Sequence, residues 1–510
     1  MKPMHSAIVE AKRSHATANG TVSGMTRVNT RDESGSSKAT VADICIIGAG
    51  SAGLSVAAGA AQMGARTVLI EADRMGGDCL NTGCVPSKSI LAAAQTVHTA
   101  HGARRFMPDA IASAVDFTKV HAHVHEVINK IAPHDSVERF AGLGCTVINA
   151  RARFLDERTV EAGRDRIRAR RFVIATGSRP AIPSIPGLSD VPYLTNATLF
   201  DITVLPDHLL IIGAGPIGCE MAQAYRRLGS RVTVFDLGPL LPKDDPEAAA
   251  VVRQSLLDEG IAIAEGIHIL RVEKRERGVA LVLLTDEGER PIEGSHLLLA
   301  AGRRPNVDDL GLDNAGICYN AKGIEVDARL RTSNKRIFAA GDVIGGYQFT
   351  HLASYHAGIV LRNALFRLPA KANMRALPWV TFTDPELAQV GLTEAQARQV
   401  HASNTLVLRA DFSSNDRAQT QGTTQGFLKV VVSKRGNVLG ATIVGPHAGE
   451  LIQPWILAIS RGLKIGALAN MIAPYPTFGE ISKRAAGSFY TPMLFSRRTQ
   501  ALVRFLGLFR

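Results

Sequence analysis

Residues 41–73 read VADICIIGAGSAGLSVAAGAAQMGARTVLIEAD: an apolar run, a glycine-rich turn, a helical stretch and a second apolar run. Gly48, Gly50 and Gly53 have the spacing G-x-G-x-x-G. The first glycine permits a tight turn, the second lets the backbone approach a pyrophosphate, and the third lets helix and strand pack closely. The stretch therefore predicts a βαβ unit that holds a pyrophosphate at its helix N-terminus, with Glu71 accepting a ribose hydroxyl.

The same pattern recurs in residues 208–236, HLLIIGAGPIGCEMAQAYRRLGSRVTVFD. Each counterpart lies 165 residues further on, at Gly213, Gly215, Gly218 and Asp236. Two copies, each followed by an acid at the right distance, are far more specific than one and predict two dinucleotide sites. A carboxylate at Asp236 pairs with a free 2′-hydroxyl and repels a 2′-phosphate, which favours NAD over NADP. Three arginines nearby weaken that preference: Arg226, Arg227 and Arg231.

Two cysteines lie between the repeats, in residues 76–95, GGDCLNTGCVPSKSILAAAQ. Pro86 is tolerated in a first helical turn, so Cys84 is expected near a helix N-terminus, where the dipole stabilises a thiolate. The loop is short enough for a disulfide between Cys79 and Cys84, and an intracellular disulfide is more often catalytic than structural. A zinc site would need further ligands at matching spacing, and none is evident.

Composition and charge exclude several classes of protein. The chain has 510 residues, of which 46% are hydrophobic, and only six cysteines, so wholesale disorder and a disulfide scaffold are excluded. No apolar run approaches the roughly 18 residues that cross a bilayer. The net charge is +12, but residues 1–40 carry +3 and residues 481–510 carry +6. Since the body carries little of the charge, a nucleic-acid groove is not expected.

Seven motifs occur in an order that resembles the FAD-dependent pyridine nucleotide–disulfide oxidoreductases. They are GAGSAG, GGDCLNTGCVPSK, ATGSRP, GAGPIGCE, AAGRRPN, FAAGDV and FTDPELAQVGLTE. The resemblance covers about residues 41–490. The family includes dihydrolipoyl dehydrogenase, glutathione reductase and mercuric reductase, and GCVPSK is more similar to the first and the last of these. The resemblance implies an oxidoreductase with FAD and NAD as cofactors.

The resemblance also implies an α/β fold with two Rossmann-like domains, a C-terminal α+β dimerisation domain and a C2 homodimer. The expected parts are a disordered leader, an FAD domain in two pieces, an inserted NAD domain, the dimerisation domain and a basic amphipathic tail. Their ranges are 1–40, 41–195 with 306–375, 196–305, 376–490 and 491–510. The leader could instead be a transit peptide, or Met25 an alternative start. The tail could lie on an anionic membrane surface or dock on the protein.

The resemblance also implies individual site residues, each at a position where this sequence matches a motif of the family. Thr176, Gly177 and Ser178 of ATGS and Asp342 of AAGDV would contact FAD, and Gly302 of AAGRRPN would contact NAD. Lys88 would approach the flavin and pair with Glu220, since a fixed cation stabilises a reduced flavin. In the family, NADH reduces the flavin and the flavin reduces the disulfide. The residue matching Cys84 lies against the flavin, and the one matching Cys79 attacks the substrate.

The pattern departs from the family near the C-terminus. Members that reduce disulfides carry H-P-x-x-x-E there, with the histidine as acid/base and the glutamate orienting it, reaching into the partner subunit's site. Here the segment is YPTFGE, so Glu480 is kept but Tyr475 replaces the histidine. A tyrosine, with a pKa of about 10, is a poor base near neutrality, and His447 is the nearest upstream histidine. Mercuric reductases carry tyrosine there, yet they also end in a cysteine pair, and this sequence has no cysteine after Cys318.

The sequence therefore predicts a cytoplasmic, mercuric-reductase-like enzyme that passes electrons from NADH through FAD to a disulfide or a thiol-bound metal ion. Dihydrolipoyl dehydrogenase is the alternative activity. A flavoprotein with a mainly binding role at a membrane surface is the alternative of another class, and a quinone or dye reductase working from the flavin alone is a third. His121, His123 and His125 are interpreted as a solvated helix face, so no resident metal is expected.

Overall fold

The computed structural model describes residues 39–103, 106–107 and 114–509. The predicted leader lies outside the described residues as far as Lys38, and strand β1 already begins at Thr40. Among the described helices, none is both long and apolar enough to cross a membrane. The predicted cytoplasmic location stays a prediction.

The first glycine-rich stretch folds as a parallel βαβ unit: β1 (Thr40–Ile47), α1 (Ser51–Gln62) and β2 (Thr67–Glu71). The apolar run of β1 is continuous because the strand is covered on both faces. Only glycine fits where α1 packs against β1, because a Cβ added at Gly53 would lie 1.8 Å from the Gly48 carbonyl oxygen. The turn and the close helix–strand packing therefore depend on glycine.

A seven-stranded sheet grows around this unit in the order β3-β2-β1-β6-β5-β4, with a later strand, β18, beside β6. Strands β3, β2, β1 and β6 are parallel, whereas β4, β5 and β6 form an antiparallel meander. The further elements are α2 (Gly77–Asn81), α3 (Cys84–Gly102), α4 (Phe117–Ile131), α5 (Val137–Gly142), β3 (Cys145–Asn149), β4 (Ala152–Asp156), β5 (Thr159–Ala162), β6 (Asp165–Ile174), β7 (Ser178–Pro180) and β18 (Ile337–Ala339).

The second glycine-rich stretch begins another parallel sheet, in the order β10-β9-β8-β14, which is joined by a three-stranded antiparallel sheet, β11-β12-β13. The elements are β8 (His208–Ile212), α6 (Pro216–Leu228), β9 (Arg231–Asp236), α7 (Pro246–Asp258), β10 (Ala262–Glu265), β11 (His268–Arg275), β12 (Gly278–Thr285), β13 (Gly288–Gly294) and β14 (His296–Leu299). The glycine packing is repeated, because a Cβ at Gly218 would lie 1.9 Å from the Gly213 carbonyl oxygen.

The chain then returns to the first sheet. It pairs β15 (Arg303–Pro305) with β7, forms the hairpin β16 (Tyr319–Asn320) and β17 (Gly323–Ile324), and adds β18 parallel to β6. Helix α8 (Thr350–Ala364) follows and packs on α1, where Gly59 leaves room for the Leu361 side chain. The first domain is therefore completed by residues distant in sequence.

The C-terminal part is a five-stranded antiparallel sheet, β19-β20-β23-β22-β21, with helices packed around the buried Trp455 and Phe412. Its elements are β19 (Pro378–Thr381), β20 (Glu386–Gly391), α9 (Glu394–His401), β21 (Thr405–Asp411), α10 (Asp416–Gln421), β22 (Phe427–Ser433), β23 (Val438–Gly445), α11 (Ala448–Leu451), α12 (Gln453–Arg461), α13 (Ile465–Ala469), α14 (Glu480–Ser488), α15 (Thr491–Leu494) and α16 (Arg497–Leu506). The predicted fold class, two Rossmann-like domains and an α+β domain, is confirmed. The exact domain boundaries stay predictions.

Candidate active site

The two cysteines of the loop lie on adjacent short elements. Cys79 is half-buried in α2, and Cys84 is the exposed first residue of α3, slightly earlier than the helix start expected at Pro86. Gly83 joins the helices in a bend that a side chain would obstruct, because a Cβ there would lie 2.8 Å from the Asp78 carbonyl oxygen. The Thr350 hydroxyl, at the start of α8, lies 3.3 Å from the Cys84 sulfur. Both are thiols in this structure.

Hydrogen bonding shifts the pKa values of the two thiols in opposite directions. The Cys79 thiol hydrogen-bonds the Cys84 sulfur and lowers the pKa of Cys84 to about 6, with help from the Thr350 hydroxyl and the Lys88 charge and against partial burial. The same hydrogen bond, together with burial, raises the pKa of Cys79 above its usual value. Near neutral pH the pair therefore holds one thiolate, on Cys84, and one proton, on Cys79.

A pH titration of the reduced protein should detect this thiolate. We expect ultraviolet thiolate absorbance to rise with a midpoint near pH 6, because the folded protein lowers the pKa of Cys84 to about that value. Cys79→Ala should move the midpoint to higher pH, whereas Cys79→Ser should move it less, since a hydroxyl still donates. Cys318→Ser, at an exposed cysteine outside the pair, is the control. A midpoint that Cys79→Ala leaves unchanged would contradict the hydrogen-bonded pair.

An ion pair lies one turn beyond Cys84. Lys88 Nζ donates to Glu220 Oε2 at 2.7 Å, as the resemblance implies, and also lies 4.5 Å from the centre of the Phe382 ring. Glu220, on α6, is 4% exposed, and its other oxygen accepts the Phe382 backbone N–H at 3.0 Å. The pair therefore connects α3, α6 and the loop after β19 beside the cysteines.

Removal of the lysine should destabilise the fold. Lys88→Met leaves the buried Glu220 carboxylate, among the described residues, with its backbone partner alone, which we expect to cost about 3–5 kcal/mol in the free energy of unfolding. Adding Glu220→Gln should recover most of this, because the double variant holds no unpaired charge. Urea unfolding monitored by circular dichroism measures both changes. If the single and double variants lose equal stability, the ion pair does not connect these elements energetically.

The loop between β1 and α1 is shaped to receive a phosphate. No side chain caps α1 at Gly50, so its first N–H groups stay free to bind an anion. Among the described residues, a Cβ added at Gly50 would meet nothing closer than Gly77 Cα at 3.9 Å, and one at Gly177 would meet nothing within 4 Å. By contrast, Gly48 is held against the Ala175 carbonyl oxygen, 2.4 Å from its added Cβ. The cradle fits the pyrophosphate of FAD.

Glu71 and Asp236 occupy equivalent places in the two units. The Glu71 carboxylate accepts the Ala49 N–H at 2.5 Å and the Asp73 N–H at 2.9 Å. The Asp236 carboxylate accepts the Ala214 N–H at 2.7 Å and the Gly238 N–H at 2.8 Å. Each acid therefore fastens its glycine turn, while unused lone pairs remain to accept the hydroxyls of a ribose.

The second loop repeats the cradle. No side chain caps α6 at Gly215. A Cβ at Gly215 or Gly302 would meet no atom of the described residues within 4 Å, whereas one at Gly213 would lie 2.4 Å from the Ala300 carbonyl oxygen. The structure thus separates glycines that pack the fold from glycines that leave space for a ligand. This cradle fits the pyrophosphate of NAD.

The remaining residues predicted to contact FAD form a polar network. The Ser178 hydroxyl donates to Asp342 Oδ2 at 2.6 Å, and burial raises the pKa of Asp342. The Thr176 hydroxyl is engaged within the protein, where it donates to the Asn306 carbonyl at 2.7 Å. The Thr176 carbonyl in turn accepts from the Asn306 side-chain amide at 2.9 Å, so the network brings Ser178 and Asp342 together and engages both the hydroxyl and the carbonyl of Thr176.

Arg303 is a site residue that sequence reasoning missed. Its guanidinium donates to the Ser178 hydroxyl at 2.8 Å and to Asp78, the residue before Cys79, while Asn196 accepts at 3.4 Å. Arg303 therefore joins the cysteine loop to the network around Asp342. Arg303 directly follows Gly302 in the AAGRRPN motif, and this position was the sequence feature that could have indicated a role. The motif does not show that Arg303 connects the cysteine loop to Ser178 and Asp342.

Tyr475 and Glu480 do not form the pair that a histidine and glutamate would form. Tyr475 is 71% exposed, and its hydroxyl donates to Asp416 Oδ2 at 3.0 Å. That hydrogen bond raises the pKa of Tyr475. Glu480 instead accepts the Thr477 N–H at 3.3 Å. Within the described part of a single chain, no hydrogen bond joins Tyr475 or Glu480 to either cysteine. Asp416, on α10, is a partner that the sequence did not reveal.

The histidine run lies on α4, as expected for a helix. The rings of His121 and His125 lie 4.3 Å apart, and His125 Nε2 is 3.1 Å from the Phe200 carbonyl oxygen. Across the residues that the structure describes, no group of three or more histidine, cysteine or acidic side chains could hold a metal ion.

Comparison with known families gives this geometry its context. Residues 42–357 match the model of the pyridine nucleotide-disulphide oxidoreductases, and residues 377–486 match the dimerisation domain of that family. The chain belongs to this family. It is an oxidoreductase of a flavoprotein class that uses FAD and NAD(P)H, and the dimerisation domain supports a homodimer.

Individual relatives span two activities. A mercuric reductase of Bacillus cereus is 37% identical over 88% of this chain and 71% of that protein. A dihydrolipoyl dehydrogenase of Thermus scotoductus is 36% identical over 88% of this chain and 97% of that protein. The Cu(II) complex of the HOCl-induced flavoprotein disulfide reductase RclA from Escherichia coli is 30% identical, with a TM-score of 0.78 over 86% of this chain and 98% of that one. The near-equal identities do not decide the substrate.

Proposed function

We propose that this protein is an NADH-dependent, mercuric-reductase-like enzyme whose Cys79–Cys84 pair delivers electrons to a thiophilic metal ion. The observation that carries the proposal is the state of Tyr475, a phenol hydrogen-bonded to Asp416 and raised in pKa. A group that keeps its proton cannot serve as the base that disulfide exchange needs near neutrality. The proposal therefore favours an acceptor that binds thiolates directly.

A metal ion makes smaller demands on proton transfer than a disulfide does. Reduction of a disulfide substrate releases a thiolate that must be protonated, and it proceeds through a mixed disulfide. A soft cation binds the Cys84 thiolate and displaces the proton of Cys79, with no leaving thiol to protonate. The lowered pKa of Cys84 provides the first ligand at neutral pH. Cys79, half-buried behind it, provides the second.

The overall reaction balances as NADH + M²⁺ → NAD⁺ + M⁰ + H⁺, where M²⁺ is a divalent soft metal ion. NADH is oxidised by two electrons, and the metal ion is reduced by two. FAD supplies, when bound, the carrier between nicotinamide and cysteines. Lys88 contributes a fixed positive charge beside the cysteines, and its pairing with Glu220 holds that charge in place.

NADH rather than NADPH is the proposed donor. Asp236 presents a carboxylate where a 2′-phosphate would lie. Arg227 is paired with Glu259 and Asp384, and Arg226 donates to the Glu259 and Ser230 carbonyls, so neither is free to neutralise a phosphate. Arg231 begins β9, at the opposite end of the strand from Asp236. The three arginines near Asp236 in the sequence, Arg226, Arg227 and Arg231, therefore do not oppose the preference for NADH over NADPH.

The relatives support a metal ion without deciding among acceptors. Several are named mercuric reductases, and RclA is described as a Cu(II) complex. Dihydrolipoyl dehydrogenase remains the alternative, because relatives with that name are equally similar and Glu480 is retained. The juxtaposed cysteines argue against a purely binding role.

Steady-state NADH oxidation tests the proposal. We expect the purified holoenzyme to turn over faster with a mercury(II)–thiol complex than with lipoamide, and faster with NADH than with NADPH. Copper(II) serves as a second, one-electron acceptor, for which the balance is NADH + 2 Cu²⁺ → NAD⁺ + 2 Cu⁺ + H⁺, and a magnesium salt serves as the hard-ion control. Rapid lipoamide turnover without metal-ion reduction would overturn the proposal in favour of dihydrolipoyl dehydrogenase.

A further inference from the structure

The C-terminal segment exposes an unusual amount of apolar surface. We call residues 491–509, which contain α15 and α16, the arginine-rich tail. Neither helix has a buried residue. Nine large apolar side chains of the tail are more than half exposed: Met493, Leu494, Phe495, Leu502, Val503, Phe505, Leu506, Leu508 and Phe509. Monomeric soluble proteins usually bury most large apolar side chains of a helical segment, so this degree of exposure points to an interaction surface.

Helix α16 divides this surface into two faces. Leu502 and Leu506 are four residues apart, and the Phe505 ring contacts the Phe509 ring at 5.1 Å, so these side chains share one side. Arg497 and Arg504, seven residues apart, share the opposite side. Arg498 is four residues before Leu502 and seven before Phe505, so it lies on the apolar side. The helix thus has an apolar side that carries one arginine and a cationic side formed by Arg497 and Arg504.

The charge of the tail is entirely positive. No acidic residue follows Glu480 in the sequence, and the tail contains Arg497, Arg498 and Arg504. A second copy of the tail packed on this face would bring two sets of arginines together, which like-charge repulsion disfavours. An anionic lipid surface offers the opposite charge beside an apolar interior, so it complements both faces of α16.

We propose that the arginine-rich tail docks on a membrane surface that contains anionic lipid, with Leu502, Phe505 and Leu506 entering the acyl boundary. The arginines then meet the headgroups at the interface. This inference goes beyond the proposed function, because it uses no residue of the redox site and holds whichever acceptor the enzyme reduces. The sequence predicted that the tail could lie on an anionic membrane surface, and the proposal specifies the side chains that enter the membrane.

Vesicle sedimentation of the full-length holoenzyme tests the proposal. We expect the protein to sediment with phosphatidylcholine vesicles that contain phosphatidylglycerol, not with phosphatidylcholine alone, and to be released by salt. The triple variant Arg497→Glu, Arg498→Glu, Arg504→Glu should bind at least about tenfold more weakly, since each arginine near an anionic surface adds roughly 1 kcal/mol. Leu502→Gln with Phe505→Gln should weaken binding without changing the charge.

The control changes the net charge equally but at another place. Arg277→Glu, Arg290→Glu, Arg435→Glu alters three exposed arginines outside the tail and should leave vesicle binding unchanged. NADH oxidation and light scattering confirm that every variant is folded and in its native assembly. Equal weakening by both triple variants, or no sedimentation of the unaltered protein, would overturn the proposal. So would a change of oligomeric state on deletion of 491–510, because a second copy would then cover the face.

Discussion

Replacement of Cys84 by serine should lower NADH-driven reduction of a thiophilic metal ion by at least about a thousandfold. The structure gives Cys84 a thiolate near neutral pH, because the Cys79 hydrogen bond lowers its pKa to about 6. A serine hydroxyl in the same place stays protonated and is a hard, weak ligand for a soft cation. The decrease should appear in kcat for metal-ion reduction, measured by loss of NADH absorbance.

The same preparation provides the internal control for this variant. Reduction of a quinone or dye acceptor should continue, because it needs only the nucleotide and flavin sites. Cys318→Ser should retain full metal-ion reduction, since that exposed cysteine lies outside the pair. If Cys84→Ser retained metal-ion reduction, the acceptor would be reduced without the cysteine pair, and the enzyme would be a quinone or dye reductase working from the flavin alone.

Tyr475→His should raise lipoamide-dependent NADH oxidation by a factor of about 10²–10⁴, the usual contribution of a positioned acid/base. An imidazole titrates near neutrality, whereas the Asp416 hydrogen bond raises the pKa of Tyr475 further from it. Asp416, which accepts from the phenol at this position, would place a carboxylate near the shorter imidazole ring. Lipoamide turnover by the variant and the unaltered enzyme, compared across pH, measures the gain.

Two further variants show where this gain comes from. Tyr475→Phe removes the hydroxyl and should not raise lipoamide turnover, while Asp416→Asn added to Tyr475→His should reduce the gain by removing the charge that orients the ring. If the unaltered enzyme reduces lipoamide rapidly, another base is at work. The His447 ring lies 5.6 Å from the ring of Phe478, which belongs to the YPTFGE segment. A loss of lipoamide turnover in His447→Gln would then identify His447 as the base, and unchanged turnover would exclude it.

Local spacing was sufficient for much of the site. The glycine pattern predicted both turns, because a Cβ at Gly48 or Gly213 collides with backbone whatever the rest of the chain does. The cysteine spacing predicted a close pair, and the helix start beside it followed from the residues around Pro86. Lys88 and Glu220 came from family resemblance, since 132 residues separate them and no local rule connects them.

The Tyr475 segment shows the opposite case. In the sequence, Tyr475 and Glu480 occupy the positions of a histidine and its orienting glutamate. In the structure, the Tyr475 hydroxyl donates instead to Asp416, 59 residues away, and Glu480 accepts a backbone N–H. Arg303 likewise reaches Asp78 across 225 residues. The first contact arises from packing within the C-terminal domain and the second from the return of the chain to the first domain at β15, and spacing along the chain encodes neither.

By itself, the sequence determined the fold class, the two dinucleotide units, the cysteine pair and the basic, apolar character of the tail. The glycine turns, the cysteine loop and the charge of the tail are local properties of neighbouring residues, whereas the fold class followed from the resemblance of the ordered motifs to a known family. Only the tertiary structure decided which arginines are already paired and which residue accepts the hydrogen bond of Tyr475. Those contacts join residues that are far apart in the chain, and they exist only once the chain has folded.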